Sequence, residues 1–133
     1  MFTPENEARA RLTEVRGALV DLHRTLVESV QVSFEKIHGR VGPGELLRLA
    51  LHDPLFTWLR PVSTLVAELD DVLADPEVTV DDTVLKSFRD SIDRRLGDDS
   101  DRFALSYGVL LQTDPAVGVA HGALKRHLTD RRD

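Results

Sequence analysis

The stretch Leu51-His52-Asp53-Pro54-Leu55-Phe56-Thr57-Trp58-Leu59-Arg60-Pro61 concentrates the punctuation of this chain: it holds the only Trp and two of the six Pro, so its backbone is constrained at both ends. Asp53 before Pro54 reads as a helix start. The carboxylate accepts an orphan backbone N–H, and proline at the first helical position loses no hydrogen bond. Pro61 falls seven residues later, inside an apolar pattern that continues to Leu73. A proline there removes a backbone bond and crowds the preceding turn, so one bent central helix is expected, with the carbonyl of Thr57 freed and Arg60 a candidate donor to it. Phe56 and Trp58 are two apart and differ by about 200° around a helix. One of them is expected in the core, against Leu22 and Leu26, and the other at a cleft or an oligomer contact.

Upstream, Leu12, Val15, Leu19, Leu22, Leu26, Val30, Phe34 and Ile37 recur every three or four residues. That is one face of a helix from Glu5 to His38, begun by Pro4 with acids in its first turn and ended near Gly39 and Gly42. At 1.5 Å per residue such a helix is on the order of 50 Å long. It either spans the whole bundle or projects beyond it. Val20, Val27 and Val32 lie off the stripe and are candidate oligomer contacts. The run Gly39–Gly44 is a turn. It is not a phosphate loop, because no strand precedes it and no Gly-Lys-Ser/Thr follows. A short helix from Glu45 to Leu51 is expected to turn Leu46, Leu47, Leu49 and Leu51 inward.

Downstream, Asp75-Pro76 ends the central helix. Asp81 or Asp82 caps a helix to about Leu96, with Val84, Leu85, Phe88 and Ile92 on one face. Gly97, Asp98, Asp99 and Asp101 mark a loop. Two short helices follow, from Arg102 to about Gln112 and from Asp114-Pro115 to about Leu128. Thr129 to Asp133 are expected to fray. Val78-Thr79-Val80 is too short for a strand. The fold expected is all-α: a single-domain helical bundle of residues 1–133 with one long N-terminal helix, a Pro-kinked central helix and shorter C-terminal helices.

The 133 residues, 41% of them hydrophobic and 30% charged, have the composition of a soluble globular chain. No apolar run approaches the roughly 18 residues of a membrane span, and the first residues lack the basic and apolar parts of a secretory leader. Cysteine is absent, which excludes disulfides and thiolate metal sites. A net charge of −6 weighs against broad nucleic-acid binding. Arg89, Arg94 and Arg95 form the one basic helix face worth testing for DNA, and Asp90 and Asp93 dilute it.

Candidate chemistry is sparse. Glu35-Lys36-Ile37-His38 matches the Glu-x-x-His of di-iron bundles, making Glu35 and His38 candidate ligands, but that architecture needs the motif twice and it occurs once. A histidine favoured by the negative end of a helix dipole is the plainer account. His52-Asp53 resembles a dyad, yet neighbours in sequence do not face each other on a helix and Asp53 serves the cap. No nucleophile elbow exists and no cysteine nucleophile is available. The expectation is therefore a protein that is not an enzyme and carries no cofactor. It would act through protein–protein contact, most simply as a homodimer. The alternative is a bundle that binds a small ligand or a metal in a cleft near Pro61, with Arg60, Trp58, Phe56 and His52 as candidate ligand contacts.

The segment Gly42-Pro43-Gly44-Glu45-Leu46-Leu47, with the Leu51–Pro61 stretch, resembles a group of small, uncharacterised bacterial proteins. The likeness runs from about His23 to Ala74, and more loosely from Leu111 to Leu124. It implies a bacterial, soluble helical protein; the cytoplasm is the location expected with the protein–protein reading. It implies no activity and transfers no catalytic residue.

Overall fold

The computed structural model describes residues 4–97 and 101–129. Among them the chain forms seven α-helices and no strand: α1 (Pro4–His38), α2 (Pro43–His52), α3 (Pro54–Thr57), α4 (Arg60–Ala74), α5 (Asp82–Gly97), α6 (Arg102–Thr113) and α7 (Pro115–Leu128). The expected all-α bundle with a long N-terminal helix is present. Asp98, Asp99 and the tail beyond Thr129, expected to be loop and frayed end, lie outside the described residues.

The long helix is the spine. Leu12, Val15, Leu19, Leu22 and Leu26 have no exposed surface, and the buried line extends from Ala8 to Phe34. One face of α1 thus packs over nearly its whole length, against α7, α4, α5 and α3. The helix spans the bundle and does not project from it. The last member of the expected stripe, Ile37, stands outside, 77% exposed. Gly39 ends the helix at φ 84°, where glycine carries no Cβ penalty, and its N–H donates to the Glu35 carbonyl at 2.9 Å. Val62 and Leu69 of α4, Leu85 and Ile92 of α5, Phe103 and Tyr107 of α6 and Val117 and Leu124 of α7 complete the core with Phe56, Leu59 and Val80.

Aspartates start four of the helices. Asp53 Oδ1 accepts from Leu55 N–H at 2.9 Å and Asp114 Oδ1 from Ala116 N–H at 3.0 Å, the two caps expected of the Asp-Pro pairs. Asp81 and Asp101 do the same for Val84 and Ala104. Each such cap contributes about 1 kcal/mol.

The central segment takes a different form from one continuous bent helix. The chain breaks at Trp58-Leu59, and Pro61 sits in the first turn of α4. An N–H there has no intrahelical acceptor, so a proline costs nothing, whereas the same residue deeper in a helix would forfeit a bond. Leu59 then accepts from both Val62 and Ser63. The inward packing expected of α2 is also corrected. Leu46 and Leu49 are half-buried, but Leu47 and Leu51 are 63% and 54% exposed, and α2 buries no residue fully. Its residues pack chiefly on α3, and one short neighbour cannot cover two faces.

Long-range polar contacts fix how the helices sit. Arg9 donates to the carbonyls of Leu73 and Val78, at 3.0 and 2.6 Å, and closes the end of α4 against the spine. Arg16 pairs with Asp70 at 2.6 Å, and Arg89 donates to the His127 carbonyl at 3.0 Å.

Candidate functional site

The residues expected to form a ligand site separate in space. Phe56 is 2% exposed and meets the ring of Phe34 at 5.9 Å, so it enters the core further along α1 than the expected Leu22 and Leu26. Trp58 is half-buried and lies 5.6 Å from Phe103. One aromatic is therefore buried and the other stands at a cleft, as the angular argument requires. Arg60 does not donate to Thr57: its Nη2 reaches the carbonyl of Leu51 at 3.2 Å, tying the start of α4 to the end of α2. His52 is exposed at the end of α2. Neither Arg60 nor His52 lines the cleft at Trp58.

That cleft, of about 300 Å³, opens between the end of α1, α3 and α6. Ile37, Leu55 and Val109, each more than half exposed, form its lip, and Val30, Phe34 and Trp58 lie deeper. Its polar side chains are Ser33 and Ser106. It is the end of a longer groove. Ser33 and Leu110 are shared with a second hollow of about 430 Å³, which in turn shares Thr25 and Ala116 with a third, of about 740 Å³, between α1 and α7. The α1 side of the groove runs from Glu14 to Ile37, about 35 Å of helix. The third hollow is open because Gly17, Ala18, Ala120 and Ala123 present almost no side chain there.

The candidate metal ligands are otherwise engaged. Glu35 Oε2 accepts from Val41 N–H at 2.8 Å and closes the turn after α1, while the His38 ring packs on Phe34 at 4.4 Å. No group of three His, Cys, Asp or Glu side chains suited to a metal ion occurs among the described residues. Of the off-stripe valines, Val20 and Val27 are half-buried, Val27 against the core, and Val32 is 52% exposed in the middle hollow. The arginines of α5 turn to their own chain: Arg94 reaches the Asp90 carbonyl, and Arg95 pairs with Asp101 while stacking 5.0 Å over Phe103.

Two polar pairs escape sequence reasoning altogether. Tyr107 and His121 are joined by a 2.6 Å hydrogen bond, and His23 Nε2 and Ser63 Oγ by one of 2.8 Å. Burial raises the Tyr107 pKa well above its ordinary range and, with the nearby Lys125 charge, lowers that of His121. The phenol stays protonated in its hydrogen bond with the His121 ring. Burial lowers the His23 pKa too. The partners lie 14 and 40 residues apart, and no local spacing announces either contact. Neither pair lines a cavity described above, and both read as joints between helices.

No helix among the described residues is long and apolar enough to cross a membrane. Comparison with protein-family models, with curated proteins and with solved structures gives no match.

Proposed function

We propose that this chain is a non-enzymatic helical protein that works through protein–protein contact, as a homodimer. The observation that carries the reading is the groove. Over about 35 Å, a groove runs along the flank of α1 beside its core stripe, walled on its other side by α6 and α7, and apolar side chains stand at its lip. Single exposed apolar residues are ordinary on a protein surface. A contiguous set beside a long groove is the usual mark of an interaction face. A second copy is the simplest occupant because two-fold homodimers are the commonest oligomers. The reading retains the bacterial cytoplasm expected from the sequence. Light scattering at micromolar concentration is expected to return twice the chain mass. A monomer at that concentration removes the proposal.

A second reading rests on the Trp58 cleft alone. Its about 300 Å³ and its apolar lining with two serine hydroxyls suit one small apolar ligand. Trp58 is the only tryptophan, so its emission reports directly on occupancy. Titration with anilinonaphthalene sulfonate is expected to quench Trp58 by energy transfer. Quenching that persists in Val109→Asp and Leu55→Asp variants would exclude the cleft as the binding place.

A further inference from the structure

We propose that the exposed face of α2 docks on an anionic membrane surface, with Leu47 and Leu51 entering the headgroup layer and Arg40 and Arg48 meeting lipid phosphates. The proposal does not depend on the homodimer reading, whose groove lies along α1.

The apolar side of α2 is turned outward. Leu47 and Leu51, four apart and so on one side of the helix, are 63% and 54% exposed. Arg48 and His52 each follow one of them and are exposed too. Leu46, Leu49 and Ala50 take the other side and pack against the core. Eight large apolar side chains stand exposed among the described residues, and four of them, Ile37, Leu47, Leu51 and Leu55, fall in this one segment. Scattered apolar residues need no explanation, whereas a concentration of them marks a contact face.

Charge selects the partner. Residues 36–60 carry four Lys and Arg against two acids, in a chain whose net charge is −6. Of the two acids, Asp53 caps α3 through the Leu55 N–H and Glu45 stands 3.9 Å from Arg48. Lys36 and Arg40 are exposed and have no carboxylate partner among the described residues. The nearby acids are engaged or distant. Glu35 accepts from Val41 N–H, Asp101 pairs with Arg95 and Asp114 caps α7. Glu28 lies eight residues before Lys36, about 12 Å back along α1.

The negative charge gathers toward the other end of the spine. Residues 61–85 hold seven acids and no Lys or Arg. α4 starts beside α2, where Arg60 holds the Leu51 carbonyl, and ends beside the first turns of α1, where Arg9 holds the Leu73 carbonyl. An anionic surface therefore attracts one end of the molecule, repels the other, and orients it leucines first. Shape favours a bilayer over a folded partner. No α2 residue lines the Trp58 cleft or the hollows that continue it, so a partner protein finds no pocket there to fill with an anchor side chain. A lipid surface needs none: apolar residues with basic neighbours on one helix face lie in the headgroup region.

Vesicles of phosphatidylcholine, alone or with about one-third phosphatidylglycerol, are the probe, loaded with sucrose so that they sediment. At low salt the full chain is expected to bind the anionic vesicles at least about tenfold more strongly than the neutral ones, and about 0.5 M salt to remove the difference. Leu47→Asp with Leu51→Asp is expected to abolish sedimentation, and Arg40→Glu with Arg48→Glu to cut it at least about tenfold. Val119→Asp, at an exposed apolar residue of α7, is expected to leave it unchanged. Circular dichroism checks that each variant keeps its helices. A wild-type chain that stays in solution beside anionic vesicles overturns the proposal, and so does binding that survives the two leucine changes. No vesicle binding, with a dimer that the leucine changes dissociate, also overturns it and gives the face to a second copy.

Discussion

Along α1 nearly every turn from Ala8 to Phe34 buries a side chain, whereas α2, leucine-rich as it is, buries none fully. Both helices are amphipathic in sequence, yet only one is covered. α1 has four neighbours along its length and α2 has chiefly the four-residue α3. Polar and backbone contacts hold the α2 region: Glu35 on Val41 N–H, Asp53 N–H on the Leu49 carbonyl, and Arg60 on the Leu51 carbonyl. An apolar stripe is a demand for cover, and the tertiary arrangement decides whether the demand is met within the chain. Where it is not, as at Leu47, Leu51 and the lip of the Trp58 cleft, the remaining cover is available to something else.

The sharpest break of this contrast is Leu22→Ala, at a fully buried site in the middle of the spine. It is expected to cost about 2–5 kcal/mol, the lost transfer energy plus the cavity left behind, read from urea unfolding. A cost below about 1 kcal/mol would mean that the spine is not where the stability lies. Removing a cap comes next. Asp114→Ala and Asp53→Ala each lose one accepted N–H, at about 1 kcal/mol of local helix stability. Asp114 starts the fourteen-residue α7, with Val117 and Leu124 in the core, whereas Asp53 starts the four-residue α3, whose core residue is Phe56, so the global midpoint should follow Asp114→Ala more closely. Hydrogen exchange in α2 and α3 should instead report Asp53→Ala.

A gentler slope is expected with pH. Burial lowers the folded pKa of His23 and of His121 below the ordinary 6.5, with Lys125 adding to the effect and Asp93 opposing it at His121. Below pH 6.5 the unfolded chain therefore binds more protons than the folded one. Stability is expected to be full above that value and to fall as the pH drops beneath it. Denaturation midpoints at pH 7.5 and 5.5 measure the slope, and His23→Gln with His121→Gln should flatten it. The smallest effect belongs to α2. Leu47→Ala removes an exposed side chain and is expected to change stability by less than about 0.5 kcal/mol. A loss as large as that of Leu22→Ala would show that α2 packs against something in solution and would recast it as an interface element.

The helices, their aspartate caps and the spine's core stripe are legible in the chain because they arise from contacts within about four residues. Asp53-Pro54 and Asp114-Pro115 announce their helix starts, and the spacing from Leu12 to Phe34 announces the buried face. The same logic over-reached at Pro61. Local sequence marks a proline that disturbs a helix but not whether the chain bends through it or begins a new helix ahead of it. Arg60, read as a donor to Thr57, has its donor taken by the end of α2, a choice made across nine residues.

The sequence by itself determined an all-helical chain, its boundaries to within a few residues, and the fact that either Phe56 or Trp58 must leave the core. Periodicity, proline and capping are local, and local interactions are written in neighbouring letters. Tertiary structure alone decided that Phe56 goes in and Trp58 stands at a cleft, that Tyr107 finds His121 and His23 finds Ser63, and that one flank of the long helix stays open. Which face is covered depends on how many neighbours a helix gains when the chain closes on itself, and that is a property of the whole packing, not of any one segment.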